Sequence, residues 1–180
     1  DPTGLGAQNG DDPEYQACCQ AVVFDFELGC LAWGPPAPPA WDGRTLAELL
    51  GEINVAGELG IEVLVLHPGK VDVPGLAPEE TSETQRGEAM SFLIEFMKAV
   101  VPVAGNAGVV IGLENMHYNP GWLIRAHTEL TEVVDAMGSP AVGITFDVGH
   151  AWGSGGVDAG IKIFGDRIRH VQVHDARGPE

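Results

Sequence analysis

The chain has 180 residues and a formal net charge of −17, from 26 acidic and nine basic side chains. Hydrophobic residues make up 44% of the sequence and charged residues 19%, which is enough apolar material for a buried core and excludes a mainly disordered protein. A DNA-binding face needs clustered cations, so nine Lys and Arg residues disfavour a nucleic-acid partner. We expect residues 1–180 to form one domain that is part of a larger one.

The cysteine count and the ends of the chain indicate the compartment. Cys18 and Cys19 are adjacent and Cys30 leaves an odd number, which argues against a disulfide framework. A reducing compartment is the simple interpretation, so we expect a cytoplasmic protein. No apolar run reaches membrane-spanning length and no leader opens the chain, so no membrane partner is expected. The sequence begins without Met and stops soon after an apolar run, which makes us expect a fragment.

Amphipathic segments alternate with short apolar runs along the chain. Residues 13–26 weakly predict a helix and residues 29–33 a first strand. A helix with Asp42 as its cap and Gly60 at its end comes next, and a later helix is predicted to begin at a Thr128 cap and to end at Gly138. The remaining predicted helices cover 78–101 and 157–164, and the remaining predicted strands cover 61–66, 109–113, 142–146 and 168–173.

The order of these elements predicts the fold class. The strands are continuous apolar runs and a helix follows each of them, which is typical of a parallel sheet covered by helices. No glycine-rich dinucleotide fingerprint follows any strand. The expected fold is therefore α/β, and five strands are about three fewer than a (β/α)8 barrel has. An incomplete barrel would leave an open edge with exposed apolar surface.

Ionisable residues stand at the carboxyl ends of four consecutive predicted strands. That edge binds ligands in parallel α/β proteins, so a shared site is a better interpretation than separate helix caps. Converging carboxylates repel each other unless a cation lies between them, so Glu114 and Asp147 predict a divalent metal site. Oxygen donors favour Mn²⁺ or Mg²⁺, and added histidines would admit Zn²⁺. The strand-end residues are His67, Glu114, Asp147 and the pair His174–Asp175.

Several side chains near these strand ends have more than one possible role. His150, three residues after Asp147, can reach the same site as a ligand, an acid or a substrate contact. His117 is a candidate pocket residue, although such a loop histidine is more often surface packing. We expect His127 to be solvated. Lys70 could bind a phosphate or remain in solvent.

Four segments of the chain resemble a known family. They are similar to segments of the sugar phosphate isomerase/epimerase superfamily, whose members have the xylose isomerase-like TIM barrel. It contains hydroxypyruvate isomerases, tagatose-type epimerases and, more distantly, type-IV AP endonucleases. The resemblance runs from about Leu46 onward and implies that the chain covers strands two to six. The segments are Val-Leu-Val-Leu-His67-Pro68-Gly69, Val-Ile-Gly-Leu-Glu114-Asn115, Val-Gly-Ile-Thr-Phe-Asp147-Val-Gly-His150-Ala151 and His-Val-Gln172-Val-His174-Asp175.

The resemblance implies metal ligands after strands four, five, six and eight. Glu114 and Asp147 match the first two. Gln172 matches the third, where many members have His, and His174 is the alternative. The fourth would lie beyond Glu180, so we expect no turnover from this chain alone.

The resemblance also implies an activity. Glu114 would act as catalytic acid/base in proton transfer through a metal-stabilised enediolate, with His150 as a further catalytic residue. His67, His117 and His150 would contact a small sugar, sugar phosphate or keto acid. The expected protein is thus a metal-dependent isomerase or epimerase of carbohydrate metabolism. A homo-oligomer is compatible with this expectation.

Two alternatives remain open at this stage. The first is a metal-dependent phosphodiesterase of the type-IV AP endonuclease class, in whose members a residue at the place of His67 is a metal ligand. That class also uses a histidine after strand two, where this chain has Trp33-Gly34-Pro35. The second is a non-catalytic barrel-like binding domain that kept the strand-end residues.

Overall fold

The computed structural model describes residues 26–27, 31–32, 43–72 and 76–174. The main sheet has five parallel strands in the order β1-β3-β5-β6-β7. These strands are β1 (Phe26–Glu27), β3 (Val63–His67), β5 (Val110–Glu114), β6 (Val142–Asp147) and β7 (Ile168–Gln172). A second, two-stranded parallel sheet contains β2 (Leu31–Ala32) and β4 (Val71–Asp72). The helices are α1 (Gly43–Glu58), α2 (Glu83–Ala107), α3 (His127–Met137), α4 (Val148–Gly153) and α5 (Val157–Phe164), with 3₁₀ turns at Pro78–Glu80 and Gly165–Arg167.

This arrangement confirms the predicted α/β class, and the strand–helix order is that of part of a (β/α) barrel. The four later strands begin and end within two residues of their predictions. The strand predicted over 29–33 corresponds to β2, but β2 is not part of the main sheet. Leu31 and Ala32 pair with β4 outside the main sheet, and the neighbour of β3 is the earlier segment Phe26–Glu27.

The starts of the helices differ more from the sequence prediction. The helix predicted over 13–26 lies outside the described residues except at Phe26, which is in a strand, and Asp42 also lies outside them. Thr128 is not a cap, because α3 already begins at His127. The exposed N–H groups of Arg125 and Ala126 are instead bound by the Glu129 carboxylate, at 2.7 and 3.0 Å. Glu129, at the third position of the helix, therefore supplies only the reciprocal half of a capping box, and the N-cap residue Ala126 makes no side-chain cap.

The core lies between the sheet and the long helices. Leu49, Ile53 and Ala56 form one buried stripe of α1, and Leu93, Met97 and Ala104 lie on the buried side of α2. β3, β5 and β6 are almost wholly buried, as continuous apolar strands in a covered parallel sheet should be. On β7, an edge of the described sheet, Val171 and the following Val173 are exposed, as expected for an open edge.

β5 and β6 make a close contact near their carboxyl ends. Gly112 pairs with Gly143 and Glu114 with Thr145. The Thr145 hydroxyl donates a hydrogen bond to the Gly112 carbonyl at 3.2 Å, and a Cβ on Gly112 would collide with that hydroxyl. Only glycine fits at position 112, because a larger residue would displace the buried Thr145 side chain. In the described part of the chain, no helix combines the length and apolarity needed to cross a membrane.

Candidate functional site

Glu114 is the centre of the polar cluster at the strand ends. It closes β5 and is 2% exposed. Its Oε2 lies 3.1 Å from Nε2 of His67, the last residue of β3. Its Oε1 lies 3.1 Å from Nδ1 of His150 on α4. Two strands and a helix therefore converge on one buried carboxylate.

Asp147 closes the next strand and is held by three kinds of contact. Its Oδ1 accepts the backbone N–H of His150 at 2.7 Å, which caps α4. Its Oδ2 lies 3.1 Å from Nδ1 of His174. Its backbone exchanges two hydrogen bonds with the Asn115 side chain: the Asn115 amide donates to the Asp147 carbonyl at 2.9 Å, and the Asp147 N–H donates to Asn115 Oδ1 at 2.8 Å. The role of Asn115 is not visible in the sequence, because its partner is on another strand.

Gln172 lies between the two carboxylates. It pairs with Asp147 in the sheet register. With its NH₂ group turned inward, the amide donates to Glu114 Oε1 and to Asp147 Oδ2, both at 3.1 Å. In the opposite orientation three oxygen atoms face one another, an arrangement that a cation between them would stabilise.

His174 lies beyond the end of β7 and is half exposed. Its ring lies directly over Gly149, where any Cβ would collide with it. This close approach explains the glycine in the Asp147-Val-Gly149-His150 segment, a requirement that the sequence alone did not reveal. Both residues named as third-ligand candidates, Gln172 and His174, thus contact Asp147.

The contacts of His150 fix the orientation of its ring. Nδ1 lies 3.1 Å from the Asn115 carbonyl oxygen and 3.1 Å from Glu114 Oε1. Both neighbours are acceptors, so Nδ1 carries the proton and donates. Nε2 is then the ring nitrogen left for a ligand or a substrate oxygen. This geometry suits a substrate contact better than metal ligation through Nδ1.

His117 is on the rim rather than in the centre. It is exposed, and its ring centroid is 5.3 Å from that of His150 and 6.1 Å from that of Trp122. Trp122 is buried, and the Lys70 ammonium lies 4.4 Å from the centre of its ring. Lys70 and Trp122 are also joined by an antiparallel β-bridge, which ties the segment after β3 to the loop after β5.

The histidines offset the negative charge of the carboxylates. Burial raises the pKa of the Glu114 carboxyl, but hydrogen bonds from His150 and His67 outweigh burial, so the pKa lies below its usual range. The pKa of His150 is raised, first by its hydrogen bond to Glu114 and then by the charge of Asp147, against the effect of burial. Glu114 is therefore ionised at neutral pH and stabilised by an adjacent imidazole.

The donor set fits a divalent cation. Asp147, His150 and His174 each offer a ligand atom, and these atoms lie within 4.8 Å of one another. Glu114 and Gln172 are in contact with members of this group. Mixed carboxylate, amide and imidazole donors are compatible with Mn²⁺ or Zn²⁺, and the oxygen donors alone with Mg²⁺.

One expectation about a neighbouring histidine is wrong. His127 is not solvated: it is 6% exposed, and its ring packs edge-on against Phe164 with centroids 4.9 Å apart. The fold encloses His127 with residues of α5, which local sequence could not indicate. Burial lowers its pKa.

Three known proteins are informative relatives. An uncharacterised protein of Methanocaldococcus jannaschii is 35% identical over 70% of this chain and 42% of its own length. A probable endonuclease 4 of Mesomycoplasma hyopneumoniae is 32% identical over 59% of this chain and 34% of its own length. The crystal structure of a D-tagatose 3-epimerase-like protein superposes with a TM-score of 0.68 and 28% identity, over 86% of this chain and 58% of that one.

The chain therefore spans less than half of the length of the curated relatives described above. The family model described as "Xylose isomerase-like TIM barrel" matches residues 15–180, nearly the whole chain. The parallel sheet, the polar strand ends and this match agree, and the chain belongs to the xylose isomerase-like TIM barrel family.

Proposed function

We propose that this chain carries the metal-binding and proton-transfer part of a divalent-metal-dependent isomerase or epimerase. The substrate class is a small sugar, sugar phosphate or keto acid, as the resemblance to sugar epimerases suggests. The observation that carries the proposal is the contact set of Glu114. One buried carboxylate is bound by two histidines from different elements and lies beside a second buried carboxylate.

The proposed metal ligands are Glu114, Asp147 and Gln172, with His174 as the alternative to Gln172. A divalent cation bound there would polarise the oxygens of a hydroxy-carbonyl substrate and offset negative charge. Asp147 is proposed as a ligand only, with no part in proton transfer; its Oδ1 accepts the His150 backbone N–H and its Oδ2 lies against His174.

Glu114 is the proposed acid/base. Its lowered pKa keeps it ionised, so it can take a proton from the carbon next to the substrate carbonyl. His67 and His150 hold its two oxygens in place. Nε2 of His150 is the ring nitrogen proposed to bind a substrate oxygen, and His67 and His117 would add further substrate contacts. A positioned acid/base of this kind contributes about 10²–10⁴-fold to the rate.

Calorimetric titration with Mn²⁺ tests the site in this chain. We expect weak binding in the parent protein, and weaker binding still after Glu114→Gln or Asp147→Asn. Glu95→Gln is a matched control, because Glu95 is exposed and pairs only with Lys98 among the described residues. Unchanged Mn²⁺ affinity in both site variants would refute the proposed ligands.

Activity is measured on the complete protein with a panel of ketoses, sugar phosphates and hydroxypyruvate. Glu114→Gln should lower turnover by orders of magnitude, since it removes the base. Asp147→Asn should weaken Mn²⁺ binding more than it slows proton transfer at saturating metal. His150→Ala should mainly raise the KM for substrate. Mn²⁺ binding without turnover of any panel member would favour a non-catalytic binding domain.

A metal-dependent phosphodiesterase is the second candidate function. The observation that favours it is the position of His67, which lies 3.1 Å from Glu114 at the place where the type-IV AP endonuclease class has a metal ligand. The 32% identity to a probable endonuclease 4 also supports it. The net charge of −17 opposes it, because an acidic surface repels a phosphate backbone. Incision of a duplex with one abasic site by the complete protein would establish this function in place of the isomerase.

A further inference from the structure

His127 is a buried histidine that the proposed reaction does not use. It is the first residue of α3 and is 6% exposed. No described residue forms a hydrogen bond with its Nε2. Buried ring nitrogens in native proteins almost always bind a protein group or an ordered water molecule, because an unpaired one costs free energy. The position of Nε2 therefore points to a missing partner.

A small cavity adjoins this ring. It has about 10 Å³ of space for the centre of a water molecule, close to the least that one ordered water needs. His127 and Leu130 of α3 lie in its wall, together with Asn115, Arg125 and Ser154. An internal water usually makes two to four hydrogen bonds, and the three last-named residues supply polar groups around the space.

The same wall is the back of the candidate metal site. Asn115 holds the Asp147 backbone through both ends of its amide, and its carbonyl oxygen accepts the Nδ1 proton of His150. Ser154 donates from Oγ to the His150 carbonyl at 2.9 Å. Any molecule bound in the cavity is thus one residue away from the carboxylate–histidine cluster.

We propose that this cavity binds one internal water molecule at Nε2 of His127, and that His127 acts through it as a positioning residue for Asn115 and Ser154. The water would bind Nε2 and could donate to Ser154 Oγ, which donates to the His150 carbonyl and keeps a lone pair as an acceptor. Its removal would loosen the support of Asp147 and His150. The positioning role rests on the proposed metal site, whereas the water site does not.

The charges around the ring favour water over an ion. Arg125 is the charged residue in the cavity wall, and its guanidinium already donates to the carbonyls of Pro120 and Trp122. The residues of α5 that lie against the ring are Gly160 and Phe164, neither of which titrates. A cation beside Arg125 would be repelled, and a space of about 10 Å³ is that of a single water and too small for a polyatomic anion, so a water molecule fits.

A high-resolution crystal structure of the parent chain tests the water site directly. The expected result is a density peak about 3 Å from Nε2 of His127. This observation needs no variant to fold. Absence of such a peak at a resolution where other internal waters are visible would overturn the water site.

Mn²⁺ calorimetry tests the positioning role. His127→Leu should lower Mn²⁺ affinity by about tenfold, the lower end of the effect seen when outer residues of a metal site are removed. His127→Gln, which places an amide near Nε2, should restore affinity to within about twofold of the parent. Leu130→Ala is the control: it perturbs the same cavity wall and destabilises the fold but keeps the ring.

The outcomes separate the two proposals. A density peak with a loss of affinity in His127→Leu alone supports both the water and the positioning role. A density peak with equal affinity in His127→Leu and the parent overturns the positioning role, and equal losses in His127→Leu and Leu130→Ala do the same. No Mn²⁺ binding by the parent chain overturns the metal site, and the density at Nε2 then still decides the water site.

Discussion

Asn115→Ala is the substitution that most directly tests how the strand ends are held together. The Asn115 side chain is buried and makes two hydrogen bonds to the Asp147 backbone, at 2.9 and 2.8 Å. Alanine would remove both of these buried hydrogen bonds. Each costs about 1–3 kcal/mol where the remaining group finds no replacement partner. We expect the free energy of unfolding to fall by about 2–4 kcal/mol, which corresponds to a Tm lower by roughly 5–12 °C in a domain of this size.

Urea denaturation followed by circular dichroism measures this loss. Asn119→Ala is the matched control, because Asn119 is exposed and its Oδ1 accepts one local hydrogen bond from Gly121. We expect the control to cost about 0.5–1 kcal/mol. Asn115→Asp keeps the acceptor for the Asp147 N–H but loses the donor and adds a charge near Asp147, so it should also be destabilising. If Asn115→Ala and the control differ by less than about 0.5 kcal/mol, the paired hydrogen bonds do not stabilise the strand ends as argued.

Three further substitutions probe other contacts. Gly149→Ala should displace the His174 ring, because a Cβ there collides with it; weaker Mn²⁺ binding and a shifted His174 ring resonance are expected, and an unmoved ring would contradict this. Burial lowers the pKa of His127, so this histidine binds a proton less readily in the folded protein than in the unfolded chain. Its contribution to stability is therefore complete above about pH 6.5 and is lost as pH falls through the lowered pKa. Urea titrations at about pH 7 and about pH 5 should show that His127→Gln is less sensitive to acid than the parent. Arg86→Met should cost about 1–3 kcal/mol, since the buried guanidinium binds Glu129 and the Leu123 carbonyl, and a loss near zero in the same assay would mean that this anchor is dispensable.

The strands and the strand-end residues were predictable because their signals are local. A continuous apolar run such as 109–113, followed by Glu114, marks both a buried strand and the edge where it ends. The parallel arrangement follows from the helix after each strand. Glu114 and Asp147 were therefore placed in one cluster from these local signals, whereas Gln172 was added only by the family resemblance, and the structure brings all three side chains together.

The features that sequence did not reveal depend on residues far away in the chain. β1 has only two residues, too few for any periodic signal, and its position is defined by pairing with β3. The burial of His127 is caused by Phe164, and the need for glycine at position 149 is caused by His174. The role of Asn115 similarly depends on the backbone of β6.

One carboxylate, that of Asp147, both starts α4 and faces the candidate metal site. The acceptor of the His150 backbone N–H is thus the same group that a cation would polarise. A bound cation draws electron density from that oxygen, which makes it a weaker acceptor for the amide. Metal binding should therefore weaken this cap and increase the rate at which the first turn of α4 opens. The rate at which the His150 amide proton exchanges with solvent would then report metal binding without any substrate.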